Sequence, residues 1–60
     1  MKTENMIQIA LIAINKNYNY ETLKYSDYMY GNEEFTDDVY NYVEDCKNIG
    51  LVAWKEKHNL

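Results

Sequence analysis

Few residues in this chain could do chemistry, and most of those are acids. Glu33-Glu34 and Asp37-Asp38 are paired carboxylates, the groups that general acid–base work uses. That work needs a desolvated pocket. Their position in the exposed first turns of a helix, on a short chain, offers little depth for one. Cys46 is the single thiol and His58 the single imidazole. Cys46 reads as a small core residue. His58 falls in a tail expected to fray and has no ligand-spaced companion. No Gly-rich phosphate loop, Cys/His pair at useful spacing or metal quartet is present. The expectation is a non-enzyme with no catalytic, cofactor-binding or metal-ligating residues.

What stands out instead is the charge around those acids. Glu33, Glu34, Asp37, Asp38, Glu44 and Asp45 fall between Gly31 and Cys46, a stretch without a single cation. Six lysines, with no arginine, face ten carboxylates across the chain, for a formal charge of −4 and a pI near 4.7. This balance disfavours attraction to phosphate backbones and anionic membranes and suits docking onto a basic protein surface. Seven tyrosines add large, adaptable contact area, and Tyr18, Tyr30 and Tyr40 are expected to lie outward. The plain alternative for the carboxylates is a solvated helix N-terminus stabilised by the helix dipole.

The elements that position these residues follow from spacing. Sixty residues allow one small domain, spanning 1–60, near the lower limit for a single apolar core. A lone cysteine excludes an internal disulfide and suits a reducing, cytoplasmic setting. The longest apolar run, "MIQIALIAI", falls short of the about 20 residues that span a bilayer. Glu4 interrupts the basic start, which argues against a secretory leader, so the chain reads as soluble and complete. The Asn, Lys, Ile and Tyr richness suggests AT-rich coding DNA, as in low-GC bacteria and their phages.

In Thr3 to Lys16, Ile7, Ala10, Leu11 and Ile14 share a helical face flanked by Met6, Ile9 and Ala13. A helix buried on most sides is expected, with residues 6–14 as a buried strand the competing reading. In "NYETLKYSDYMYGN", Asn19 can cap a short helix whose inward stripe is Leu23, Ser26 and either Met29 or Tyr30, ending at Gly31, although Tyr18, Tyr20 and Thr22 also alternate as a strand would. Phe35, Val39, Tyr42, Val43 and Cys46 define the apolar face of a third helix capped by Asn32 or Thr36. Gly50 then supplies an αL turn. The alternation in "LVAWKEK" suggests a short strand, with Leu51 in the core and Trp54 as a lid over the helices.

Helix, short helix, Gly-containing turn, longer helix and then "GLV" resemble the winged helix-turn-helix superfamily over Ile7 to Val52. The third helix of that family commonly begins near a valine and ends before Gly-Leu-Ile/Val. Val39 to Gly50 followed by Leu51 and Val52 fits this, with Val43 and Cys46 in the core positions between. The resemblance implies a mainly α, compact three-helix domain with a short C-terminal strand. An α+β arrangement, with residues 6–14 as the strand, is the alternative. "GLVAWKEKHNL" leaves no room for a full wing.

The resemblance also implies a DNA-reading third helix, and here the charge disagrees. That face would present Asp37, Asp38, Tyr40, Asn41, Glu44, Asp45 and Asn48, whereas DNA affinity depends on cations that neutralise phosphates. The expected function is therefore a protein-binding module that occupies the basic groove of a nucleic-acid-handling protein. Its expected contacts are Tyr30, Glu33, Glu34, Asp37, Asp38, Tyr40, Asn41, Glu44 and Asp45. In size and charge the chain is similar to small phage-encoded inhibitors such as anti-CRISPR proteins, an analogy of class only. Two alternatives stand behind it. One is a dimeric helix-turn-helix regulator that gathers Lys16, Lys24, Lys47, Lys55 and Lys57 on one face. The other is an oligomerising subunit whose apolar first helix needs a cover.

Overall fold

A computed structural model describes residues 3–60. Four α-helices occur among them and no strand: α1 (Thr3–Asn15), α2 (Tyr20–Lys24), α3 (Glu33–Ile49) and α4 (Leu51–Lys57). α3 is the hub, packing against each of the other three.

Residues 6–14 lie inside α1, so the strand alternative for them is not realised. A strand would need a partner for its backbone groups, whereas a helix satisfies them internally. Only Ala10 and Ala13 of α1 are fully buried; Met6, Ile7, Ile9, Leu11 and Ile14 pack against the core while remaining partly exposed. The burial on most sides expected of this segment is thus met only in part. The small residues sit at its closest contact with the core, and the large ones spread around its flanks.

Asn19 caps α2 as its residue type predicts, its side chain accepting from the Thr22 N–H at 2.8 Å. α2 stops at Lys24, well before Gly31. The Ser26 hydroxyl donates to the Leu23 carbonyl at 2.6 Å, a local bond that competes with helix continuation. Between the two candidates for the inward stripe the structure chooses Met29, which is buried, over Tyr30, which is exposed.

Asn32, not Thr36, caps α3, accepting from the Phe35 N–H at 2.9 Å. Thr36 is buried, and its hydroxyl donates back to the Asn32 carbonyl at 2.7 Å. Val39, Val43 and Cys46 are buried along the face that the apolar spacing indicates.

The C-terminal strand and the three-helix count are corrected by α4. Gly50 ends α3 and starts α4 with φ 91° and ψ 153°. That positive φ is combined with an extended ψ, a region open essentially to glycine, rather than the αL turn expected. A Cβ there would meet no atom, so the requirement is conformational and not steric. With no second strand among the described residues to pair with, the helix is the form in which this segment satisfies its own backbone. The Trp54 N–H donates to the Gly50 carbonyl at 2.9 Å, opening the helix.

Helical geometry also decides which apolar residue of α4 is buried. Trp54 is fully enclosed, while Leu51 is 38% and Val52 74% exposed, so Leu51 is not the core residue expected. His58 is not frayed either. It caps α4, and its ring stands edge-on to Trp54 and Tyr42 at centroid distances of 4.9 and 5.7 Å. The core is one cluster of Ala10, Ala13, Leu23, Met29, Val39, Val43, Cys46 and Trp54. The radius of gyration of the described chain, 10.6 Å, is what chain length alone predicts for a folded domain, about 10 Å.

Candidate partner-binding surface

With Val39, Val43 and Cys46 turned inward, the opposite face of α3 is set by the helical repeat. Glu34, Asp37, Asp38, Asn41, Glu44, Asp45 and Asn48 recur at three- and four-residue intervals along it. Asp45 is partly covered and the others are exposed, as is Glu33 beside them. Glu34 to Asn48 spans about 21 Å, at about 1.5 Å of rise per residue. Asn32 fixes where the helix begins, and so which carboxylates fall in its first turn. Glu33 and Glu34 are held there next to unpaired N–H groups, where negative charge is favoured.

Two of the acids are engaged from other elements. Lys57 of α4 reaches Asp45 with Nζ–Oδ2 at 2.9 Å, the single ion pair among the described residues. The Tyr20 hydroxyl of α2 donates to Asp37 Oδ1 at 2.5 Å. That bond to a carboxylate, aided by partial burial and by Glu33, holds the Tyr20 phenol on its proton, up to about 12. Glu33, Glu34, Asp38 and Glu44 form no ion pair among the described residues, although the Lys47 ammonium feels the charge of Glu44, so the face keeps most of its negative charge.

The tyrosines expected at this surface divide. Tyr30 is 85% exposed, in the loop before α3. Tyr40 does not project from the acidic face. It lies half-buried on the flank toward α2, edge-on to Tyr20 at 5.6 Å, with Lys47 Nζ 5.3 Å from its ring centre. Lys47 also donates to the Tyr40 hydroxyl at 3.1 Å, which is the main cause that raises the lysine pKa above its ordinary value. Tyr18 is half-buried, on the wall of a cleft of about 140 Å³ between α1 and α3. Cys46 lies in the floor of that cleft, its thiol pushed up by desolvation and then by Asp45, which disfavours the reactive thiolate.

Periodicity did not point to several residues of this surface. Tyr25 and Tyr28 are exposed with Tyr30 on the loop between α2 and α3, where no helical repeat marks a face. Lys57 and Tyr20 reach the acidic face from 12 and 17 positions away in the chain. An apolar corner of Ile49, Leu51 and Val52 is exposed where α3 meets α4.

Among the described residues no group of His, Cys, Asp or Glu side chains is arranged to hold a metal ion. No described helix is long and apolar enough to cross a membrane. No protein-family model, curated protein or solved structure matches this chain.

Proposed function

We propose that this chain is a non-enzymatic, cytoplasmic protein-binding module whose α3 face docks into the basic groove of a nucleic-acid-handling protein and inhibits or modulates it. The single observation that carries the reading is the exposed row Glu34, Asp37, Asp38 and Glu44 on a rigid, capped helix, with Lys57 spent on Asp45. Carboxylates on a pre-formed helix present negative charge without an ordering cost, so they compete for cations that would otherwise meet phosphates. The same face would repel a DNA duplex, which separates this role from that of a regulator built on a helix-turn-helix frame. In economy of size and charge the role is that of small phage-encoded inhibitors, anti-CRISPR proteins among them.

The test uses a partner captured from a low-GC bacterial lysate. Neutralising the row (Glu34→Gln, Asp37→Asn, Asp38→Asn, Glu44→Gln) should slow association with that partner and flatten its salt dependence, and duplex DNA should displace the wild-type chain from it. Unchanged binding of the neutralised chain at both low and high salt would reduce the row to a solvated helix end. A shift of labelled duplex by the chain alone at low salt would favour the regulator instead.

A second reading has its own observation. The exposed Ile49, Leu51 and Val52 corner suits self-association, including a homodimer that displays two acidic faces. Size measurement in solution decides it: a monomer at all concentrations removes this reading.

A further inference from the structure

The loop joining α2 to α3 presents aromatic rings in an unusually determined way. The Gly31 N–H closes it onto the Lys24 carbonyl at 2.7 Å, and the Tyr30 N–H bonds the Ser26 carbonyl at 3.0 Å. Met29, fully buried, pins the loop to the core from below. Around that anchor Tyr25, Tyr28 and Tyr30 point outward, at 72%, 39% and 85% exposure. The Tyr25 ring lies over Gly31, 3.9 Å from where a Cβ would stand. Tyr30 has φ 51°, a left-handed conformation that is costly for a bulky residue. It holds that conformation while burying almost nothing, so core packing does not account for a tyrosine at this position.

We propose that this loop is an arginine-binding platform. Its tyrosine faces take guanidinium groups of a basic protein segment, and Asp27, Glu33 and Glu34 supply the opposing charge. The proposal rests on the docking role above and names the chemistry that one end of the surface recognises. Three observations select the occupant. Lys24 Nζ already stands 5.5 Å from the Tyr25 ring centre, so that ring attracts a cation in the free chain. Asp27, Glu33 and Glu34 are exposed and flank the three rings in sequence, which favours a cation over a nucleobase bearing phosphate. Guanidinium, planar and weakly hydrated, stacks on such rings better than the Lys24 ammonium it would displace from Tyr25, and the chain has no arginine of its own. The closed loop fixes the backbone that carries the rings, so the ordering entropy lost on binding is confined to their side chains.

The experiment measures binding of labelled oligo-arginine and oligo-lysine peptides of equal length to the full chain at low salt. Both cations are attracted to the rings, but guanidinium stacks on them better, so the rings should appear as a preference for arginine of at most about two- to fivefold for each ring engaged. Tyr25→Leu, Tyr28→Leu and Tyr30→Asn together should abolish the preference and leave the salt-sensitive attraction. Tyr30→Asn alone should weaken the preference without lowering the melting temperature, because asparagine accepts the left-handed backbone. That keeps the test independent of folding in the triple variant. The row-neutralised chain should bind both peptides more weakly at an unchanged ratio. Equal binding of the two peptides, or a preference that survives the triple substitution, overturns the platform and leaves the acidic row standing. Absence of binding to either peptide overturns both. Binding of an oligothymidylate that depends on the tyrosines, without an arginine preference, assigns the rings to base stacking and overturns the proposal as well.

Discussion

Replacing Trp54 with alanine tests the part of the fold that holds the acidic face in its final charge state. Trp54 is fully buried, the largest enclosed side chain, and the one buried residue of α4. A buried indole removes about 150–250 Å² from water, worth about 4–6 kcal/mol at about 25 cal/mol per Å². Its Nε1–H is buried without a partner, a cost of about 1–3 kcal/mol that the substitution relieves. The net loss is therefore about 3 kcal/mol, at the low end of the range for such truncations. A domain of this size has about 3–9 kcal/mol in total.

The Trp54→Ala chain should then lose at least a third of its stability and melt about 12–24 °C lower, followed by far-UV circular dichroism. Trp54→Phe is the control. It keeps most of the packing and removes the unpaired donor, so it should lose much less. Released from the core, α4 should also withdraw Lys57 from Asp45, adding one unpaired carboxylate to the α3 face and steepening the salt dependence of partner binding. An alanine variant that melts within about 4 °C of wild type, less than 1 kcal/mol for a domain this small, would mean that α4 does not pack on α3. The helical assignment of Leu51–Lys57 would fall with it.

Three further outcomes are expected. Val43→Asp places a carboxylate on a fully buried position of α3 and should abolish the cooperative melting transition; a curve close to wild type would show that this face is not the buried one. Cys46→Ala should cost about 1–2 kcal/mol in a denaturant titration and leave partner binding intact, whereas lost binding by a folded variant would reveal a reactive thiol. Tyr20 holds its proton up to about 12 in the folded chain, against an ordinary value of 10.0. Because the folded state keeps a proton that the unfolded state releases, the stability this contact contributes is complete below 10 and is lost as pH rises toward 12. Tyrosinate absorbance should show a late-titrating phenol, missing in Tyr20→Phe; a Tyr20→Phe chain that keeps the late phase, or an Asp37→Asn chain that leaves it unmoved, would refute the Tyr20–Asp37 bond.

What the sequence determined by itself was local. Asn19 announces one helix start, and Asn32 or Thr36 another that the structure gives to Asn32, because a cap bonds an N–H only three residues ahead. Val39, Val43 and Cys46 announce the buried face of α3, and hence the acidic face opposite, because three- and four-residue spacing is itself the geometry of one helix side. For α1 the spacing favoured a helix and left a buried strand open. The outcome followed from whether a second strand existed to pair with, which is a property of the whole chain.

Tertiary structure decided α4 in the same way. "LVAWKEK" alternates as a strand does, but without a partner strand its backbone closes on itself, and burying Trp54 against α3 leaves Leu51 and Val52 outside. It also decided the charge that the surface shows, through Lys57 on Asp45 and Tyr20 on Asp37. These pairs lie 12 and 17 positions apart, so no local periodicity encodes them. The tyrosine loop was settled by a choice between neighbours. Only one of Met29 and Tyr30 could fill the space beneath it, and once Met29 was buried Tyr30 was left in solvent on a left-handed backbone.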